Sequence, residues 1–412
     1  MTCEVVVMNK NGMALAADSA VTLTPHRKVY NHDEKLFQLG QHCPVGILVY
    51  GASDMIGVPW ATVIKLYRRK LADTCFDHVH EYARDFLAFI ESNDALFSLE
   101  HQQRHFRSLM RAIWENFVRL LQEDHGESLK DWSSDAWDRL RSEISEDATY
   151  WERYDPLESA RQGFGDSVVD HYAKILDDLE RELFDEADVP GDISAALRRV
   201  ARDSCDKHWF WPDQRSGIVI GGFGEMEAFP KLVHYEVGAI VDGVLRCSEF
   251  EPAEITHDND ANVTPLAQRG MIDLFYEGIH PCIREKLAEC CAEAVREVQS
   301  VTKAGHPDCP ADEAFPSEVV ERFTKLVKQQ IYDTHTLPLL DSVGALPMRE
   351  LASLSEALVN LTAFRAHMTA DEIQTVGGDV DVALISKGDG FVWVQRKDQG
   401  GFLHAESSRS WR

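Results

Sequence analysis

A chain of 412 residues, 44% of them hydrophobic, can bury a large core and divide into two or three structural units. Its 69 acidic residues against 42 basic ones leave a formal charge of −27, a field that argues against nucleic-acid backbones and anionic membranes as main partners. Nine scattered cysteines without a Cys-x-x-Cys pair, no secretory leader pattern and no run of eighteen apolar residues read as reduced thiols in a soluble, cytoplasmic protein.

Strands come first. Val5–Met8 reads as one, Asn9-Lys10-Asn11-Gly12 as a tight turn and Met13–Ala17 as the returning strand, which brings Asp18 back near the level of Thr2. Thr2 stands directly behind Met1. With Met1 removed, that residue carries a hydroxyl nucleophile and, one bond away, an α-amino group of pKa about 7.7 to 8.0 that can serve as its own base. Tyr30–Leu39 then carries Lys35 into another strand, and Pro44–Gly51 runs apolar into a glycine.

Val58, Trp60, Val63, Ile64, Tyr67 and Leu71 fall at helical spacing, with the basic stretch Lys65–Lys70 read as a solvated or carboxylate-paired face. From 73 to 213 the pattern is helical and highly charged, broken by Pro190-Gly191-Asp192 before a further helix over Ile193–Phe210. Strand signals return at Gly217–Gly224, Lys231–Val237 and Gly243–Cys247. Helices are expected over 281–301, 316–333 and 347–367, and the strands Asp381–Ser386 and Phe391–Gln395 close the chain. No cofactor or metal is expected. Gly221-Gly222-Phe223-Gly224 lacks a P-loop lysine, and His78 with His80 and His101 with His105 read as solvated helix faces.

The order Thr2, Ala16-Ala17-Asp18-Ser19, Glu34-Lys35-Leu36-Phe37 and Gly51-Ala52-Ser53-Asp54 opening a helix resembles the proteasome β-subunit-like family of N-terminal nucleophile (Ntn) hydrolases, in its bacterial proteasome-related branch. Thr375–Gly390 resembles the closing loop and hairpin of the same fold. The likeness covers residues 2–72, 216–278 and 347–397. It implies an α+β chain forming a four-layer αββα sandwich from 1–72 and 214–412, with 73–213 as a large helical insertion.

The same resemblance implies a site. Thr2 would attack a carbonyl, and Lys35 would place a fixed cation beside its hydroxyl and amine. Asp18 would hold Lys35, and the backbone N–H of Gly51 would face the oxyanion. The Asp18–Lys35 stretch is one residue longer than in the family, an excess that fits the Thr24–Arg27 loop. Glu372 and Thr375 carry the chemical types of the family's distal pair, offset by one residue from the glycines.

The implied activity is that of a threonine-type peptidase acting on peptide or protein, assembled as a homo-oligomeric ring, with any ATPase partner left unidentified. Two other readings stay open: a catalytically silent assembly protein on the same fold, and a small-molecule amidohydrolase with the insertion as a lid.

Overall fold

The computed structural model describes the chain apart from residues 1, 24–27, 31–33, 41, 126–133, 185–186, 212–213, 306–314, 369–376 and 398–412. The first third holds β1 (Cys3–Asn9), β2 (Gly12–Ala17), β3 (Val21–Leu23), β4 (Lys28–Tyr30), β5 (Leu36–Gln38), β6 (Val45–Gly51), β7 (Asp54–Met55), β8 (Val58–Pro59), α1 (Trp60–Leu71) and α2 (Val79–Glu91). Five helices follow: α3 (Leu99–His125), α4 (Ser134–Trp151), α5 (Phe164–His171), α6 (Ala173–Leu183) and α7 (Gly191–Asp206). Next come β9 (Ser216–Gly222), β10 (Lys231–Val241), β11 (Val244–Glu249), β12 (Ala253–Glu254) and β13 (Ala261–Ala267). The remainder is α8 (Gly270–Glu277), α9 (Pro281–Gly305), α10 (Phe315–Ile331), a π-helical turn at Tyr332–Thr336, α11 (Leu337–Gly344), α12 (Met348–Met368), β14 (Asp381–Ser386) and β15 (Gly390–Gln395).

Two larger antiparallel sheets organise most of these strands, in the orders β13-β1-β2-β14-β15 and β11-β10-β9-β6-β5 with β12 beside β10, while β3–β4 and β7–β8 form separate two-stranded pairs. The alternation of β1 explains how the two larger sheets pack, because successive side chains leave a strand on opposite faces. Val6 and Met8, with Met13 and Leu15 of β2, meet Leu48, Val219 and Leu232 of the other sheet in one apolar core. Val5 and Val7 point the other way, into a core shared with Ile272 of α8, Val343 of α11, and Leu351, Leu358 and Val359 of α12. On the second sheet Val45, Ile47, Val49, Ile218 and Ile220 bury against α1 and α2 through Trp60, Ile64, Tyr67, Tyr82 and Phe86.

Helices α3–α7 have a core of their own. Phe106, Trp114, Leu140, Phe164, Leu176, Leu197 and Val200 form it, joined by Ala239 and Val241 at the tip of β10, with Val244 of β11 and Ile56 of the β7–β8 turn packed against it. Arg246 of β11 fastens this unit by donating to the carbonyls of Lys207 and Trp209 at 3.0 and 2.8 Å. Helix α2 belongs elsewhere, since its Tyr82, Phe86, Phe89 and Ile90 lie in the sheet core with α1.

Several sequence expectations change. Helix α1 starts at Trp60, not at the residues after Gly51. Proline disfavours the helical conformation of the residue before it, so Pro59 holds Val58 extended. A two-residue turn at Ile56 and Gly57, both with positive φ, closes the small β7–β8 hairpin. Strand β13 and helix α8 carry no sequence expectation. Pro265 argues against a central strand, yet β13 lies at a sheet edge, where a missing N–H is tolerated.

Cys43 and Cys75 form a disulfide, their Cα atoms 5.8 Å apart, which corrects the reading of all nine cysteines as reduced thiols. Spacing in the sequence cannot show which Cβ atoms the fold will oppose. The reduced-thiol ground for a cytoplasmic location therefore falls away. No described helix is long and apolar enough to cross a membrane. His101 is exposed as expected, but His105 is half-buried, and burial lowers its pKa.

Candidate active site

The β1–β2 hairpin returns Asp18 to the start of β1. Asp18 N–H donates to the Cys3 carbonyl at 3.1 Å, and Cys3 N–H donates to Asp18 Oδ1 at 3.2 Å. Thr2 is thereby held one residue from the Asp18 carboxylate, and its own carbonyl accepts from Gln268 N–H at 3.0 Å beyond β13. Lys35 enters from the second sheet just ahead of β5, with its carbonyl bound by Val49 N–H at 2.9 Å. Its ammonium donates to Asp18 Oδ1 at 2.5 Å and to the Ala20 carbonyl at 2.6 Å. Asp18 Oδ2 accepts from the backbone N–H of Gly377 at 3.0 Å, so the distal loop meets the hairpin at this carboxylate.

Of the residues expected to form a site, Thr2, Asp18 and Lys35 are together and almost fully enclosed, 5%, 1% and 3% exposed. Glu372 and Thr375 lie outside the described residues. Gly51 ends β6 opposite Ser216, and no hydrogen bond joins it to the Thr2 cluster among the described residues. Its φ is +89°, and a Cβ there would sit 2.4 Å from the Arg215 carbonyl oxygen. Gly51→Ala should therefore cost about 1–3 kcal/mol whatever the chemistry, read as a lowered melting temperature. Its neighbour Tyr50 approaches the cluster. Burial, then the charges of Glu236 and Glu4, keep the Tyr50 phenol protonated, and its hydroxyl meets His234 Nε2 at 2.6 Å.

Sequence reasoning missed two contributors. One is the Gly377 N–H, which a motif search cannot see because it is a backbone group. The other is Glu4. Thr2 Oγ1 donates to Glu4 Oε2 at 3.2 Å, while Glu4 Oε1 lies 3.7 Å from Lys35 Nζ. No hydrogen bond joins the Thr2 hydroxyl to Lys35 directly among the described residues; Glu4 stands between them. The signal was available, because a carboxyl within Cys3-Glu4-Val5-Val6-Val7-Met8 interrupts an otherwise apolar strand.

Burial raises the pKa of Glu4 to about 8, with the nearby Asp18 charge adding and Lys35 opposing. Because the folded chain holds this proton more tightly than the unfolded chain, Glu4 costs stability as pH rises from the ordinary carboxylate range toward about 8. The melting temperature of the wild type relative to Glu4→Gln should fall across that interval, and an unchanged difference would count against the burial effect. Burial also pushes the Cys3 thiol far up, which makes it a poor nucleophile.

No family model matches the chain, and no curated protein matches it. Among solved structures, it is similar to a Gly-1 mutant of Anbu from Hyphomicrobium sp. strain MC1, at 10% identity and a TM-score of 0.32, covering 96% of this chain and 87% of that one. A second Anbu structure from the same strain matches at 10% identity and a TM-score of 0.29, covering 95% and 86%. Anbu from Yersinia bercovieri, described as an ancestral beta-subunit, matches at 11% identity and a TM-score of 0.27, covering 95% and 86%. At TM-scores this low, fold and site stand on the chain's own residues.

Proposed function

We propose that this chain is a threonine-dependent peptidase or amidohydrolase of the proteasome-like Ntn class, built on an αββα sandwich that takes in α2, with α3–α7 as a helical insertion. One observation carries the reading. The buried Asp18–Lys35 ion pair, with Nζ and Oδ1 2.5 Å apart, is anchored to the backbone of Cys3, the residue after the proposed nucleophile. Taking two charges out of water is costly, so a pair placed beside a hydroxyl at a chain terminus suits chemistry better than packing. In this reading Thr2 forms an acyl-enzyme and Lys35 offsets the charge that develops on its oxygen. Homo-oligomerisation belongs to the same proposal, with light scattering of the purified chain as its test.

Met1 is expected to be absent from the active protein, because Thr2 has a small side chain of the kind methionine aminopeptidase tolerates. Intact mass decides this, and active protein uniformly retaining Met1 would end the terminal-threonine mechanism. The same measurement before and after a β-lactone or boronate probe tests the nucleophile, with Thr2→Ala as the unlabelled control.

A silent assembly protein is favoured by one feature: Thr2 is 5% exposed, and no hydrogen bond joins its hydroxyl to Lys35 among the described residues. Failure of every probe to label Thr2 would select that reading.

A further inference from the structure

We propose that Glu4 is a catalytic residue, its carboxylate receiving the proton of the Thr2 hydroxyl as that oxygen attacks an acyl carbon. The inference rests on Thr2 being the nucleophile and goes beyond it by assigning the proton. Residues 2 and 4 of an extended segment share a face, which is why the two side chains meet. The 3.2 Å bond from Thr2 Oγ1 to Glu4 Oε2 already lies along the path the proton would take. The second oxygen, Oε1, is buried with no hydrogen-bond partner among the described residues and lies 3.7 Å from Lys35 Nζ.

Packing gives no reason for this residue. Glu4 is 0% exposed between Ala17 of β2 and Leu266 of β13, where an apolar side chain would avoid the cost of burying a carboxyl. The charged and titratable groups around it are Lys35 ahead of β5, Asp18 after β2, Tyr50 on β6 and Cys3 beside it. Lys35 is already matched by Asp18 at 2.5 Å and stands 3.7 Å from Glu4, so its cation offsets the Glu4 carboxylate less closely. The Glu4 pKa of about 8 lies near neutrality, where a general base works best.

With Met1 gone, the Thr2 α-ammonium supplies the second proton that amide cleavage requires. In acylation the hydroxyl proton passes to Glu4 while Oγ bonds to the carbonyl carbon and the C=O π pair moves onto oxygen. Collapse breaks the C–N bond, and the leaving nitrogen takes a proton from the α-ammonium. In deacylation water bonds to the acyl carbon and gives a proton to the now neutral amine. Oγ then departs with the proton held on Glu4, and both groups return to their starting states.

Glu4→Gln tests this, since the amide keeps the shape and an oxygen for the Thr2 hydroxyl but cannot take its proton. The probe is a peptidyl β-lactone, read by intact mass from about pH 5 to 9. Wild-type Thr2 should be labelled at a rate rising with the ionisation of Glu4. Glu4→Gln should be labelled about 10²-fold more slowly, without that pH-dependent limb, at an unchanged half-saturating probe concentration. A Glu4→Gln rate within a few-fold of wild type, with the same pH profile, overturns the assignment and leaves the Thr2 reading standing. No labelling of wild-type Thr2, or amide hydrolysis surviving in Thr2→Ala, overturns both. If Glu4→Gln does not fold, Glu4→Asp keeps the charge but withdraws it by one methylene; about 10²-fold slower labelling is expected, and a wild-type rate overturns the proposal.

Discussion

Lys35→Ala is expected to lower turnover, or the rate of Thr2 acylation, on the order of 10² to 10³-fold. A cation beside a developing alkoxide offsets charge in a water-excluded site, where each such interaction is stronger than in bulk solvent. Lys35 can do this because Asp18, the Ala20 carbonyl and its own backbone bond to Val49 hold it in one position. The same enclosure makes the variant costly to the fold. Removing the ammonium leaves Asp18 and Glu4 as buried carboxyls without their partner, a loss of about 3–5 kcal/mol less what protonation of either group recovers.

Activity and stability can be separated. Lys35→Met combined with Asp18→Asn removes both charges of the pair and should melt closer to the wild type than Lys35→Ala while remaining inactive. Lys35→Arg should also fail, because a planar guanidinium cannot occupy the place of a compact ammonium 2.5 Å from one oxygen and 2.6 Å from another. Near-normal hydrolysis by Lys35→Ala or Lys35→Arg would move the site elsewhere in the chain.

Replacing residues 73–213 by a Gly/Ser linker is expected to unfold the protein, whereas replacing only 99–206 should leave a cooperatively melting chain. The difference is α2. Its Val79, Tyr82, Phe86, Phe89 and Ile90 cover the outer face of the β6–β9–β10 sheet, and each contributes about 1.5–3 kcal/mol of burial. Their combined loss approaches the whole stability of an ordinary domain, about 5–15 kcal/mol. The stretch from α3 to α7 meets the strands mainly through Ala239, Val241, Val244 and the Ile56 turn, so its removal uncovers little of the sheets. Melting curves of the two deletions decide the matter, and unfolding by the shorter one would make α3–α7 part of the common core. Light scattering and cleavage of short against long peptides on the shorter deletion then show whether the unit governs assembly or access.

The legible part of the fold was local. The Asn9–Gly12 turn between two apolar runs specified the β1–β2 hairpin, and with it the return of Asp18 to Cys3. The apolar, glycine-bounded segments at β6 and β9 and the spacing of α12 were visible for the same reason, since period and punctuation are written along the chain. Strand β13 was hidden because a proline inside a strand is acceptable only at an edge, and edge position is a property of the assembled sheet. Helix α1 was placed too early because the Ile56–Gly57 turn depends on backbone angles that no periodicity reports.

What the sequence determined by itself was the inventory: a threonine behind Met1, an aspartate at the end of the returning strand, a lysine entering another, and an acidic surface. Each follows from residue type and short-range geometry. Only the tertiary structure decided which of them meet. Lys35 reaches Asp18 because two sheets face each other across the Met8, Leu15 and Leu48 core, and Gly377 reaches the other Asp18 oxygen from 359 residues away. The Cys43–Cys75 bond and the unusual basicity of Glu4 are of the same kind. Both depend on distance and burial, and those exist only once segments remote in sequence have packed together and excluded water.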